Sequence, residues 1–356
     1  MKILVTGIGG PTPRSIASVL RRAYPDASVV GADCDPRALG FYMPGLLDER
    51  YVVPRTSDAE SYFRVINKIL GKEKIDLAIV QPESEVLAWG DYYQRCKSYP
   101  CPVVMPPLSH SKALVDKARM ADLLDGTTYI PKTLSITVSE PRKTEVQDQV
   151  GYPCWIRAAT GSGGAGSLKL NCEEDLDAWL LVHPDIAEFT VSEFLPGKHL
   201  ANQMLYLEGK LQLNAGLECV EYVMANVAPS RVTGNTSFGR LLNDERLLSF
   251  CEEVMDFIVK KLSTPAHGVY SFDLKLDSSG RPKVTEINVR HMAYTGILAK
   301  CGADFVSATV DYLRSGVVRD EPVRHRYASD FVFLRDVDIE PLVLSEADLS
   351  SEIVHA

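Results

Sequence analysis

The side chains best suited to chemistry cluster near residue 280. Val269 to Asp277 and Lys283 to Val289 read as two strands joined by Asp277-Ser278-Ser279-Gly280, a composition that closes a hairpin. If Leu276 faces Lys283 across that turn, Asp273 faces Glu286. Directly opposed carboxylates repel unless a cation lies between them or water screens both. Strand alternation then sets Glu286, Asn288 and Arg290 on one face and apolar Phe272, Leu274 and Ile287 on the other. Oxygen donors of this kind suit Mg²⁺, which keeps several waters and shares its shell with substrate phosphates. Any one of these residues alone would read as a solvated surface charge. Together they point to a metal site of Asp273, Glu286 and Asn288.

A second candidate is Gly161-Ser162-Gly163-Gly164-Ala165-Gly166, with four glycines in six positions. Such a loop lets backbone N–H groups approach phosphate oxygens. It lacks Gly-Lys-Ser/Thr and leads into a strand, so it is not a P-loop; a flexible surface hairpin is the plain alternative. Arg157 just before it, and Lys117 on the helix expected over Ser111 to Leu124, are cations within reach of a nucleotide phosphate. A third candidate, Gly7-Ile8-Gly9-Gly10 with Asp33 after the next strand, has the outline of a dinucleotide turn with its ribose-binding acid. Thr12 replaces the third glycine and Pro11 and Pro13 crowd the helix start. An ordinary strand-to-helix turn explains it equally well.

These residues need a scaffold, and the first hundred residues supply alternating elements. Strands are expected at Lys2 to Thr6, Ser28 to Ala32, Leu77 to Val80 and Pro102 to Met105. Helices are expected at Ser15 to Ala23, Glu60 to Leu70 and Val86 to Arg95. Such alternation predicts a parallel, doubly wound sheet. Prolines at 100, 102, 106 and 107 mark its end. Beyond it, strands dominate: Cys154 to Ala158, Ser167 to Leu170, Glu188 to Phe194, Gln203 to Leu207 and Leu211 to Ala215, with a long helix at Glu245 to Leu262. The second half therefore reads as α+β. Glu218 to Arg240 reads as a polar loop, Phe331 to Arg335 as a strand, and the acidic end as frayed.

The chain has 356 residues, 46% hydrophobic and 24% charged, with a net charge of −9. Disorder is excluded for most of it, and two or three domains are expected. No dense basic block offers a footprint for nucleic acid, and no apolar run is long enough to span a membrane. The start MKILVTG reads as a buried strand rather than a leader, so a cytoplasmic location is expected. Eight scattered cysteines without a CxxC pair, and seven histidines without HExxH spacing, argue against disulfides and a zinc site.

The order of these features resembles the ATP-grasp superfamily over about 300 residues, most nearly its short carbamoyl-phosphate-synthase-like branch. The segments that carry the resemblance are MKILVTGIGG, DKARMADLL, GYPCWIRAATGSGGAGSLKL, VSEFLPGKHLANQ, SFDLKL and TEINVRH. The resemblance implies a Rossmann-like domain over 1–110, a linker helix and glycine-loop lid over 111–192, a larger catalytic domain over 193–322 and a strand and tail over 323–356. It implies ATP and Mg²⁺, or Mn²⁺ in its place. Lys117 and Arg157 would contact ATP phosphates, and Gly161, Ser162, Gly163, Gly164 and Gly166 would close over them. Glu193, Phe194 and Leu195 would form the hinge that reads adenine, with Asp273, Glu286 and Asn288 on the metal and Arg290 on the transferred phosphoryl group. Arg157 stands where many members have Lys. His199 replaces a ribose-binding Glu in a run, KHLANQ, that resembles the biotin-carboxylase branch, and it keeps a nucleotide role.

The implied activity is an ADP-forming carboxylate-amine ligase acting through an acyl phosphate, with an amino acid or related acid as substrate. No enzyme nucleophile is needed. Arg231 would pair with a substrate carboxylate, Glu83 or Glu85 with an amino group, and His291 and Tyr294 follow the metal strand closely enough to reach a second substrate or simply to pack. Partners would be small molecules and at most a second copy in a homodimer. Carboxyphosphate or carbamate chemistry is a related alternative. A nicotinamide-dependent oxidoreductase built on Gly7 to Gly10, and a non-catalytic nucleotide binder, are the rivals of another class.

Overall fold

The computed structural model describes residues 1–160, 166–328, 330–335 and 354–355. Apolar runs bounded by turns form strands β1 (Lys2–Thr6), β2 (Ser28–Asp33), β3 (Glu49–Val52) and β4 (Leu77–Ile79). They lie in the order β3-β2-β1-β4, all parallel. Helices α1 (Pro11–Ala23), α2 (Ala59–Glu73) and α3 (Glu83–Cys96) connect them. The expected strand Pro102 to Met105 is reduced to one parallel bridge between Ala78 and Val103. Pro102 has no N–H to donate, so a full ladder rung cannot form there. At the other edge Val354–His355 pairs with β3 rather than fraying.

The helix expected over Ser111 to Leu124 is two helices, α4 (Leu108–Leu114) and α5 (Lys117–Leu123). Asp116 makes the break. Its carboxylate accepts from the N–H groups of Ala118 (2.9 Å) and Arg119 (3.2 Å), capping a new helix start. A four-stranded antiparallel sheet follows: β5 (Thr133–Ile136), β6 (Cys154–Ala158), β7 (Leu168–Leu170) and β8 (Phe189–Glu193), in the order β5-β8-β6-β7. It has its own core of Ile136, Ile156, Leu176, Phe189 and Val191.

The largest sheet has seven strands: β9 (His199–Leu207), β10 (Lys210–Tyr222), β11 (Thr236–Leu242), β12 (Gly268–Leu276), β13 (Pro282–Asn288), β14 (Val323–Arg324) and β15 (Val332–Leu334). The segment expected as a loop from Glu218 to Arg240 is strand at both ends, with only 223–235 between β10 and β11. The helix Glu245–Leu262 covers the sheet with Leu247, Cys251, Met255 and Ile258. These belong to one apolar core with Leu4, Tyr62, Trp89, Leu114, Phe272 and Ile287, so the parallel sheet and the large, mainly antiparallel sheet share an interior.

Candidate active site

The hairpin β12–β13 sets the centre of the site. Asp273 does face Glu286, by a different route from the one expected. Near the turn Leu276 pairs with Pro282 and Lys275 with Lys283, one residue off the predicted register, and a bulge between Asp273 and Leu274 restores the carboxylate pair. Thr285 is the extra residue. Its hydroxyl donates to the carbonyl of Asp273 at 3.0 Å, and its own carbonyl accepts from Nη2 of Arg157. The bulge thus ties β6 to the carboxylate strand.

The repulsion between the facing carboxylates is met by a buried ammonium. Lys117 is the first residue of α5 and is buried, with Nζ 3.3 Å from Oε1 of Glu286. Its position follows from the Asp116 cap: a continuous helix would not have turned at this point, and the backbone N–H of Lys117 donates to Ala159 O at 3.0 Å. His199 Nε2 lies 3.4 Å from Asp273 Oδ1, and its Nδ1 is in close hydrogen-bond contact with the Tyr222 hydroxyl. Asn288 Nδ2 donates to Asp273 Oδ2 at 3.4 Å, while Arg290 Nη2 donates to Asn288 Oδ1 at 3.2 Å. Burial pushes the Glu286 carboxyl above its ordinary value and the Asp273 charge adds to this, against the pull of Lys117 and Arg157. Burial lowers the Arg157 guanidinium, and Glu286 and Asp273 oppose that shift.

These groups line a cleft of about 270 Å³ between the four-stranded sheet and the large sheet. Lys117, Arg157, His199, Asp273, Glu286, Asn288 and Arg290 all face it, as do Glu193, Phe194 and Leu195. The Glu193 N–H donates to Lys132 O and its carboxylate accepts from Lys132 N–H, both at 3.0 Å, so this residue is fixed to the strand leading into β5. Phe194 has the ammonium groups of Lys169 and Lys275 at 4.3 and 5.9 Å from its ring centre.

Not every expected residue gathers here. Arg231 is exposed on the 223–235 loop in a left-handed conformation, φ +57°, and its neighbours Val232 and Gly234 line the cleft in its place. Gly161, Ser162, Gly163 and Gly164 lie outside the described residues; Gly166 is described, with φ +62° and its carbonyl accepting from Trp179 Nε1. His291 is buried packing. Its imidazole is pushed down to about 3 by burial and by Arg290, and it contacts Gln203 and Thr295. Glu85 is also buried, bonded to the Tyr62 hydroxyl and pushed up to about 7 by burial.

Glu83, the first residue of α3, makes a contact that sequence reasoning missed: its Oε1 lies 3.2 Å from Nε of Arg290, two residues past the end of β13. Two elements 207 positions apart have no local signal for such a pair. The Gly7 to Gly10 turn is closed by its own chain. Asp33 accepts from Gly9 N–H at 2.8 Å and Asp35 N–H at 2.9 Å, and a Cβ on Gly7 would stand 2.4 Å from the Pro82 ring. Glycine is there for close packing and positive φ.

No protein-family model matches the chain. Among solved structures it is similar to N5-carboxyaminoimidazole synthetase of Staphylococcus aureus in complex with ADP, with a TM-score of 0.69 at 14% identity over 94% of this chain and 81% of that one. The biotin carboxylase domain dimer of Hydrogenobacter thermophilus 2-oxoglutarate carboxylase, crystallised with MgADP, ADP and bicarbonate, gives 0.66 at 14% over 93% and 73%. L-amino acid ligase of Bacillus licheniformis gives 0.64 at 14% over 88% and 74%. The chain has the ATP-grasp fold. In sequence it is 28% identical over 133 residues to a pyruvate carboxylase subunit of Methanothermobacter thermautotrophicus, a match covering 36% of this chain and 27% of that protein. Asp273 and Glu286 meet Lys117 and Arg157 in the cleft between the four-stranded sheet and the large sheet. None of the described helices is long and apolar enough to cross a membrane.

The donors Asp273, Glu286 and Asn288 fit a hard divalent cation. Two opposed carboxylates and an amide oxygen leave further positions for water or phosphate oxygens, as Mg²⁺ requires.

Proposed function

We propose that the chain is an ATP-dependent, ADP-forming ligase that activates a small carboxylate for attack by an amine or another nucleophile. The observation that carries this reading is the meeting of Lys117, Arg157 and Arg290 with Asp273, Glu286 and Asn288 along one cleft. Cations there neutralise phosphate oxygens, and Asp273, Glu286 and Asn288 would hold Mg²⁺, which shields phosphate charge when bound. A carboxylate oxygen of the substrate attacks the γ-phosphorus of ATP, the bond to the β-phosphate oxygen breaks, and ADP leaves. The nucleophile then attacks the acyl carbon, loses its proton, and inorganic phosphate departs.

The chain's residues position and neutralise rather than form covalent bonds. Arg290 lies at the end of the carboxylate strand, held by Glu83 and Asn288, where it can meet charge on the transferred group. Arg157 spans lid and large sheet through Thr285. The lid loop, Gly161 to Gly166, would cover the phosphates, and Phe194 with Leu195 would flank the base. Small molecules are the partners of this reading. A homodimer, like that of the 2-oxoglutarate carboxylase domain, is the assembly it allows, and a cytoplasmic setting suits the free thiols.

A second reading has bicarbonate as the carboxylate, giving carboxyphosphate. The neighbouring carboxylase domain holding bicarbonate and the identity to a pyruvate carboxylase chain favour it. One experiment separates the two. With ¹⁸O-labelled acids offered in turn, the labelled acid that drives ADP release passes one ¹⁸O to inorganic phosphate. Transfer from bicarbonate alone selects carboxyphosphate. Transfer from an organic acid selects the ligase, and ADP release without any transfer refutes both.

A further inference from the structure

The chain leaves the ladder of the large sheet after Asn288, the last residue of β13, so among the described residues no strand partner orients the backbone at 290–292. Two side chains take over that task. Gln203 on β9 and Ser271 on β12 are paired across the ladder, and both are buried. The Ser271 hydroxyl donates to Arg290 O at 2.7 Å. Gln203 Oε1 accepts from the Met292 N–H and from the Thr295 hydroxyl, each at 3.0 Å. A backbone N–H only donates, so Oε1 is the atom that faces it, and the amide nitrogen Nε2 then points to His291 Nδ1, 3.4 Å away. Burial keeps the imidazole neutral, which leaves Nδ1 free to accept.

One peptide links this buried network to the reacting strand. The N–H of Met292 and the C=O of His291 belong to the same planar trans unit, in which they point in opposite directions. Gln203 holds the N–H, and the C=O accepts from Nη1 of Arg290 at 3.1 Å. Fixing the N–H therefore aims the carbonyl on which the guanidinium rests. The same guanidinium reaches Asn288 through Nη2 and Glu83 through Nε, so with the His291 carbonyl each of its nitrogens has a partner. A peptide plane released from Gln203 can turn, and the partner of Nη1 turns with it.

We propose that Gln203 is a positioning residue for phosphoryl transfer: by anchoring the His291–Met292 peptide, with Ser271 holding the Arg290 carbonyl beside it, Gln203 fixes the direction of the Arg290 guanidinium in the cleft. The consequence for turnover rests on the ligase reading; the geometry does not. Gln203 is fully buried beneath the residues that line the cleft, so its loss lowers turnover without weakening nucleotide binding.

Hydrogen exchange at the Arg290 Nε–H, followed by NMR of the full chain and assigned by its loss in Arg290→Lys, tests the geometry without any substrate. Gln203→Met, similar in volume but with no acceptor for the Met292 N–H, should speed that exchange about tenfold or more, with the Arg157 Nε–H within about twofold of wild type. Gln203→Glu keeps the acceptor and should recover most of the protection. Turnover is followed as ADP release with bicarbonate or the organic acid that the ¹⁸O experiment selects. Gln203→Met should lower it about tenfold or more while Mg-ATP affinity, measured by calorimetry, stays within about twofold. In an Arg290→Lys background the same change should cost less than about twofold more, because both act through one guanidinium. Unchanged exchange at Arg290, equal acceleration at Arg157, a parallel loss of Mg-ATP affinity, or full additivity with Arg290→Lys overturns the proposal. Should Gln203→Met fail to fold, Gln203→Asn, which draws the amide back by one methylene, takes its place with the same expectations. Protection at Arg290 that depends on Gln203 in a chain that releases no ADP with any acid would instead overturn the ligase reading.

Discussion

Replacing Lys117 by Met removes the ammonium 3.3 Å from Glu286 and leaves that carboxylate opposite Asp273 with its nearest cation gone. At that separation and an effective dielectric constant of about 20, the lost attraction is about 5 kcal/mol. Part is returned, because the variant no longer desolvates an ammonium, so a net loss of about 3 kcal/mol is expected. The sign with pH follows from Glu286, whose carboxyl is already raised by burial and rises further without Lys117. A folded-state pKa above the unfolded one means the native state binds more protons, so stability falls as pH rises from the unfolded value near 4.5 through the folded one. Lys117→Met should therefore be markedly destabilised at pH 8 and much closer to wild type at pH 4.5. Urea unfolding at the two pH values measures this. A loss of the same size at both, or none at pH 8, would refute the assignment of Lys117 as counter-ion to the carboxylate pair.

Arg157→Lys keeps the charge and loses the fork that reaches Thr285 O, so ADP release should fall about tenfold with the fold intact, read by steady-state rates beside circular dichroism. Glu83→Gln releases Arg290 from its ion pair; turnover should drop while Mg-ATP affinity, measured by titration, stays within twofold, and a parallel loss of both would contradict a positioning role. Glu85 is pushed up to about 7, so its contribution is favourable while it is protonated and is lost as pH rises from about 4.5 through 7. Glu85→Gln should accordingly be more stable than wild type by up to about 3 kcal/mol at pH 8 and about equal at pH 4.5, as denaturant melts at both values would show.

Much of the architecture was legible because periodicity reports burial. Lys2–Thr6, Cys154–Ala158 and Glu245–Leu262 have the bounds the pattern indicates. The short strands Glu49–Val52 and Thr133–Ile136 were not, since four residues with mixed burial carry no alternation to read. The facing of Asp273 and Glu286 was expected from a register one residue off, and it holds only because the bulge at Thr285, which leaves no mark on polarity, makes up the difference. Lys117 illustrates a local signal overlooked: Asp116 is a good N-cap, and the helix break it makes turns a surface-looking lysine into a buried one. Arg231 illustrates the reverse. A polar loop near a site suggests a substrate contact, yet backbone conformation decides which side chains face inward, and there Val232 and Gly234 do. The pair of Glu83 with Arg290 depends on how the two sheets pack, which no window of sequence contains.

The central claim is that Asp273 and Glu286 make this cleft a site for Mg-ATP, and calorimetric titration of the full chain tests it most directly. ATP should bind with Mg²⁺ present, at least tenfold more weakly under chelation and in Asp273→Asn or Glu286→Gln, and NAD should not bind. Equal ATP affinity with and without Mg²⁺, wild-type affinity in both carboxylate variants, or binding of NAD alone would contradict it.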